Sequence, residues 1–254
     1  MKYLKGFYMS LGMFSRIPQP FPFWDEKYTA LMVAALPLVG AVIGGLWWLV
    51  AMLLTAIGLP LMLAAALLTL APFFIAGFIH LDGYMDTSDA LLSYRPLEDR
   101  LRILKDPNVG AFSVVMLGAL FLLQFAAVYS LMESGSFFAL LITISVISRC
   151  CSALSILVLR HMPQSNYAAM LSQNKSATQV VFIIVIALAA AGLSYLYAGI
   201  IGLIAVAAVA LGYSAAMAVV YKNFKGISGD LLGYSMVIAE LCGLIAVAGA
   251  AYGA

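Results

Sequence analysis

Apolar residues fill this chain in long runs, and polar residues gather in a few short stretches between them. Taken in order, those runs predict helices at and across a bilayer. In residues 2–14, Leu4, Phe7, Leu11 and Phe14 fall on one helical stripe with Lys2 and Lys5 off it, the pattern of a short helix at a membrane surface. Pro18, Pro20 and Pro22 then stop any helix, because proline lacks the amide donor and clashes with the preceding turn. Trp24 and Tyr28 suit the headgroup level. A first span falls within 28–57. A helix of that whole length would be about 45 Å, against a hydrocarbon core of about 30 Å. Pro37 is therefore expected to divide an interfacial part from a spanning part. Gly40 and Gly44, followed by Gly45, predict close helix packing. The second span is expected at 60–79, kinked at Pro72, and the third at 111–132. The polar turn 133–136 leads into a fourth at 137–159. Spans five, six and seven are expected at 179–197, 199–221 and 231–252, with loops at 160–178 and 222–230. No fixed-period repeat relates them.

Composition turns these helices into a class. The 254 residues are 65% hydrophobic and 9% charged, with a mean hydropathy of +1.06. A water-soluble domain is closer to half apolar and a quarter charged. The expectation is an all-α, polytopic integral membrane protein of about seven transmembrane helices, forming a single membrane-embedded domain over 1–254. Its first residues are not expected to be a cleaved signal, because Arg16 and the prolines occupy the place of a cleavage site. Cys150, Cys151 and Cys242 lie in apolar runs without metal-ligand spacing, and they read as small buried hydrophobes. The net charge of +2 is unremarkable, and no nucleic-acid partner is expected.

The placement of charge says more than its sum. With seven spans, loops alternate sides, and twelve of the thirteen Lys and Arg residues then fall on one side. The thirteenth, Arg149, lies inside span four. The basic side is expected to be cytoplasmic, with the N-terminus on it and the C-terminus outside. The cell membrane is the expected location, with the active site on the cytoplasmic side.

The stretch 80–110 holds six of the eleven acidic residues and four of the basic ones, between runs that are almost wholly apolar. Asp82, Asp86 and Asp89 are spaced i, i+4, i+7, within about 60° of one another on a helix. Carboxylates that close repel unless a cation lies among them or one is protonated. Hard oxygen ligands suit Mg²⁺, Mn²⁺ or Ca²⁺, and Asp106 can supply a fourth carboxylate. Gly83 leaves room for a phosphate or a backbone to approach. A solvated acidic helix face is the alternative. His80 reads as a general base, a phosphate contact or a packed residue. Arg100, Arg102 and Lys105 read either as phosphate clamps or as positive-inside anchors, and Glu98–Arg102 and Arg102–Asp106 as i,i+4 pairs. Arg149 is costly inside a membrane and points to a partner or a polar cavity. Glu240 either pairs with it or faces the same cavity. Asp230 ends KGISGD, where glycines let backbone amides approach a ligand, or it belongs to a simple loop.

These residues carry a family resemblance. HLDGYMDTSDAL (80–91) resembles the His-x-Asp-Gly-x-x-Asp-x-x-Asp core of the cobalamin synthases, the adenosylcobinamide-GDP ribazoletransferases. RLRILKDPNVGAF (100–112) is similar to that family's Arg-Leu-x-Ile-Met-Lys/Arg-Asp-x-x-x-Gly segment. FSRIPQP (14–20), LPLVGAVIGG (36–45), ISRCCSAL (147–154) and FKGISGDLLGYSMVIAEL (224–241) resemble further family elements in order. Ser15, Leu104, Ser113 and Tyr234 depart from the family pattern, and none of them removes a charged group.

The resemblance implies a membrane transferase dependent on Mg²⁺, with Mn²⁺ as the alternative. Its substrates would be adenosylcobinamide-GDP and α-ribazole or its 5′-phosphate. GMP would leave, and adenosylcobalamin or its phosphate would form. Asp82, Asp86, Asp89 and His80 would be the catalytic set, and Asp82, Asp86, Asp89 and Asp106 the metal ligands. Arg16, Arg102, Lys105, Arg149, Asp230 and Glu240 would bind substrate. The lipid bilayer is the expected surrounding, and a homo-oligomer is compatible with the sequence. A CDP-alcohol phosphotransferase would do analogous chemistry, but its Gly-x-x-x-Asp-x-x-x-Asp pattern is not met after Asp82-Gly83. An ion-coupled transporter would place its charges along the spans, and here they crowd one stretch.

Overall fold

The computed structural model of the protein describes residues 1–162 and 176–252. The expected loop at 160–178 lies largely outside the described residues, Lys175 included. The helices are α1 (Lys2–Phe14), α2 (Thr29–Ala34), α3 (Leu36–Ile57), α4 (Leu61–Ala76), α5 (Ile79–Leu92), α6 (Leu97–Ile103), α7 (Ala111–Ser134), α8 (Leu140–Val158), α9 (Ala177–Ala198), α10 (Ile200–Phe224) and α11 (Gly229–Tyr252). A single parallel bridge between His161 and Ile227 is the one extended pairing among the described residues.

Six helices are long and apolar enough to cross a membrane: α3, α7, α8, α9, α10 and α11. At 16 residues, α4 joins this set only together with α5, across a bend of 97°. The count is therefore six, or seven with the bent pair, against the seven expected. The bend falls at Gly77 and Phe78, both with left-handed backbones (φ 80° and 66°), and not at Pro72. Pro72 stays inside α4 because its missing amide is replaced. The carbonyl of Leu68, which residue 72 would normally serve, accepts instead from the Trp47 indole Nε1 at 2.9 Å. The next carbonyl, Thr69, accepts from Gln124 Nε2 at 3.1 Å. Two neighbouring helices thus satisfy the backbone that the proline frees.

Pro37 divides the first run as its chemistry requires, with α2 ending at Ala34 and α3 carrying Pro37 in its first turn. Gly40 and Gly44 bring α3 onto α8. A Cβ at Gly40 would come within 2.6 Å of the Ser145 carbonyl oxygen, and one at Gly44 within 2.7 Å of the Ile142 Cα. Gly45 faces open space. The buried face of α1 differs from the expected stripe. Leu4 is 71% exposed, while Gly6, Met9 and Ser10 are buried. Gly6 is the cause: it lets Leu31 of α2 approach to 2.7 Å of where a Cβ would stand.

The centre of the bundle is formed by α8 and α11, whose spanning windows are 78% and 72% buried, against 11–39% for the other four spans. These two helices carry the deep charges, Arg149 and Glu240. The three cysteines are free thiols.

Candidate active site

The candidate site begins at the bend. Leaving α4 at 97°, α5 packs across the first turns of α7 and α11. Gly83 touches α11 so closely that a Cβ there would stand 2.7 Å from the Asp230 Cα and 2.8 Å from its carbonyl oxygen. Tyr84 stacks on Tyr234 with ring centroids 5.5 Å apart and donates its hydroxyl to the Met116 carbonyl at 3.1 Å. Ser113 Oγ donates to the Met85 carbonyl, also at 3.1 Å. These contacts fix the roll of α5 about its axis and so aim the aspartates.

On the face that remains, Asp86 is surrounded by carboxylates. Burial and the charges of Asp82, Asp230 and Asp89 push it up to about 6. The fourth acidic group facing Asp86 is therefore Asp230. Asp106, expected in that place, is exposed, and its Oδ1 accepts from the Asn108 backbone N–H at 2.9 Å and from Asn108 Nδ2 at 2.7 Å. Those donors and the nearby Arg102 hold its carboxyl below the usual range. The Asp89 carboxylate sits at the N-terminus of α7, where a Cβ on Gly110 would fall on it.

The basic residues expected at substrate are placed variously. Arg16 lies beside the bend, its Cβ 3.0 Å from where a Cβ of Gly77 would stand. Arg102 pairs with Asp99 at 2.8 Å on the surface, and Lys105 is exposed. Arg100 donates to the Arg95 carbonyl and to Asn223 Oδ1. Arg149 is 2% exposed and ion-paired with Glu240. Ser148 Oγ joins the pair, donating to Glu240 at 2.8 Å and accepting from Arg149 at 3.0 Å. The Arg149 Nε is buried with no hydrogen-bond partner among the described residues. Arg149, Glu240 and His80 line one small void of about 10 Å³.

A larger cavity, of about 330 Å³, opens beside the carboxylates. His80, Asp82, Ser228 and Asp230 border it, and so does His161. His161, one of only two histidines, falls in the loop expected at 160–178. It reaches the site through the bridge, in which Ile227 N–H donates to the Arg160 carbonyl and Met162 N–H to the Ile227 carbonyl, both at 3.0 Å. Its ring Nε2 donates to the Ile156 carbonyl at 2.9 Å. The cleft between α1 and the proline segment is bigger, about 520 Å³, but no ionisable side chain lines it, and it lies apart from the carboxylates.

Among the described residues, no group of three or more His, Cys, Asp or Glu side chains is placed to hold a metal ion by itself. The donor set still fits a hard divalent ion. None of Asp82, Asp86, Asp89 or Asp230 has a salt-bridge partner among the described residues, and Mg²⁺ is held by one or two carboxylates plus substrate phosphates more often than by an all-protein cage.

The Gly83 contact makes a stability prediction. Gly83→Ala forces a methyl against backbone and is expected to destabilise the fold by about 1–3 kcal/mol. Gly45→Ala, at a helical position with nothing within 4 Å, should melt at or above the parent temperature. Thermal unfolding in detergent compares the two, and equal melting of both variants would refute the contact.

The chain was compared with known proteins. A family model described as cobalamin-5-phosphate synthase matches residues 6–248. A protein of Clostridium botulinum (strain Alaska E43 / Type E3) named adenosylcobinamide-GDP ribazoletransferase is 37% identical over 243 residues, covering 94% of this chain and 95% of its own length. Proteins with the same name from Lachnoclostridium phytofermentans and Geobacillus thermodenitrificans are 34% and 33% identical, covering 97% and 90% of this chain and 94% and 89% of their own lengths. No solved structure matches. With its motifs in order and the match running over nearly its whole length, the chain belongs to the cobalamin-5-phosphate synthase family.

Proposed function

We propose that the protein transfers adenosylcobinamide phosphate from adenosylcobinamide-GDP to a ribose hydroxyl of α-ribazole or its 5′-phosphate. GMP is released, and adenosylcobalamin or its 5′-phosphate forms. One observation carries this reading: Asp82, Asp86, Asp89 and Asp230 come together on one face, unmatched by any salt bridge among the described residues. Such a face repels a diphosphate by itself and attracts it once a divalent cation is shared between them. Asp82, Asp86 and Asp230 would hold Mg²⁺ or Mn²⁺. The bound ion supplies neutralisation of the diphosphate charge and of the departing GMP.

The chain's own residues do the remaining work. The acceptor oxygen forms its bond to the cobinamide-linked phosphorus, and the bond from that phosphorus to the GMP oxygen breaks. GMP departs with the bonding electrons, and the acceptor proton passes to a base. Asp89 and His80 are the candidates for that base. Asp89 stands beside Gly110, at the N-terminus of α7. His80 lines the cavity beside Asp82. Arg16, beside the bend, and Arg102 and Lys105, exposed on the same segment as the carboxylates, are suited to the outer phosphates and to GMP. The basic side of the chain is the cytoplasmic side of the cell membrane in this reading, so the site faces the nucleotide pool.

The test is GMP release by purified protein from adenosylcobinamide-GDP and α-ribazole. Turnover with Mg²⁺, its loss in EDTA and its return on adding Mg²⁺ are expected. Full turnover in EDTA would remove the metal from the proposal, and no GMP under any condition would remove the transferase.

A further inference from the structure

Away from the carboxylates, the bundle has a groove on its outer side. The turn at Gly199 joins α9 to α10, and beside it Gly202 lets α10 lie against the Ser194 carbonyl of α9. Toward the other end of these helices, α9 packs on α2 while α10 packs along α11, and both touch α8. At the carboxylate end, the face between α8 and α10 is left open as a groove of about 400 Å³. Leu154 and Leu159 of the α8 side line it, with Tyr213, Met217, Ala218 and Tyr221 of α10. Val158 and Val219 beside it are exposed on helices long and apolar enough to cross a membrane, so the groove opens sideways, to lipid.

The length and the rim of the groove select among lipids. Lys222 stands one helical turn beyond Ala218 on the same face of α10. From Lys222 to Tyr213 the face runs about 14 Å, against about 15 Å for half of a hydrocarbon core of about 30 Å. Tyr221 puts an aromatic ring at the rim, where chains meet headgroups. Arg160 directly follows Leu159, and Lys225 closes α10. Arg160, Lys222 and Lys225 are all exposed, and none has a salt-bridge partner among the described residues. A soluble phosphate compound would meet these cations and leave the groove empty, and a neutral lipid would fill the groove and leave the cations unmatched. A second copy docked here about a two-fold axis would set the same cations against each other. We propose that the groove between α8 and α10 holds an anionic phospholipid of the leaflet on the carboxylate side. An acyl chain lies against Leu154, Met217 and Ala218, and the headgroup phosphate sits between Arg160 and Lys222. Basic pockets between spans are suited to such headgroups. The lipid fastens α8 to α10 where the chain leaves them for His161 and Asp230, next to the bridge to Ile227.

Delipidated protein in neutral detergent is titrated with dioleoyl phosphatidylglycerol or dioleoyl phosphatidylcholine. Bound lipid is followed by native mass spectrometry, and the melting temperature is measured beside it. Phosphatidylglycerol is expected to bind about tenfold or more tighter than phosphatidylcholine and to raise the melting temperature. Arg160→Gln combined with Lys222→Gln should erase that preference. Ala218→Phe, at an exposed position that leaves every cation in place, should fill the groove and weaken phosphatidylglycerol about tenfold. If the double variant does not fold, Ala218→Phe decides alone. Equal affinity of the parent for the two lipids overturns the proposal, as does phosphatidylglycerol binding that is unchanged in the folded variants. Protection by glycerol 3-phosphate equal to that by phosphatidylglycerol overturns it in favour of a soluble anion. Dimer formation in place of lipid uptake overturns it in favour of a second copy. No readout involves GMP release, so failure here leaves the transferase reading untouched.

Discussion

Asp86→Asn is expected to lower GMP release about a thousandfold or more while the protein melts no lower than the parent. A thousandfold corresponds to about 4 kcal/mol of lost transition-state stabilisation, the scale on which metal and oxyanion contacts act. The opposite signs are the point of the prediction. Asp86 is held above the ordinary carboxylate value by burial and by Asp82, Asp230 and Asp89. A carboxyl whose folded value is raised costs the folded state stability once the pH passes the unfolded value, about 4, and the cost is complete above the folded value. Asparagine does not ionise, so at neutral pH the variant escapes that cost. Asp82→Asn is expected to lower GMP release on the same scale, because it removes a second carboxylate from the carboxylate face. Mg²⁺ should raise the melting temperature of the parent and do so much less in either variant, since an ion that binds only the folded state stabilises by mass action. Full activity in a folded Asp86→Asn or Asp82→Asn protein would end the metal-site assignment.

How much of this could be read from the chain depends on whether the determining contact is local. The face of Asp82, Asp86 and Asp89 was legible because i, i+4, i+7 spacing fixes direction on any helix. Pro37 was legible because proline acts on its own turn. The Pro72 kink was expected for the same reason, and the sharp bend came five residues later. What decides there is Trp47 and Gln124 on other helices, which repair the backbone that the proline opens. Asp230 in place of Asp106 is the same lesson at the site. Asp106 follows the aspartate face closely in sequence and spends its carboxylate on Asn108 two residues away. Asp230 is 144 residues from Asp86 and arrives because Gly83 lets α11 touch α5. Two departures from the family pattern, Ser113 and Tyr234, serve that same packing, binding Met85 and stacking on Tyr84. His161 had no local signal beyond being a rare histidine, and only the bridge to Ile227 brings it in.

Arg149 is where the structure changes the expectation most. An arginine inside a span implies a partner or a polar cavity, and substrate binding was the expected use. The structure gives it Glu240 and Ser148 and leaves it 2% exposed. Gly40 also presses on it, its missing Cβ only 3.1 Å from the Arg149 Cδ. A donor phosphate has no route to that guanidinium while α3 is packed there. Arg149→Met should then act through stability. Removing one partner of a buried pair leaves an uncompensated charge and costs about 3–5 kcal/mol. Replacing both partners is nearly neutral in other buried pairs, so Arg149→Met combined with Glu240→Leu should recover most of the loss. Denaturant unfolding of the three variants in detergent measures this. Activity gives the second readout. Because the pair shares a void with His80 at the base of the carboxylate face, the double variant should release GMP more slowly with donor KM within about threefold of the parent, the pattern of an interaction felt mainly in the transition state. A folded, fully stable Arg149→Met protein with a donor KM raised more than about tenfold would show instead that the arginine reaches the substrate, and α3 would have to move away from α8 for that to happen.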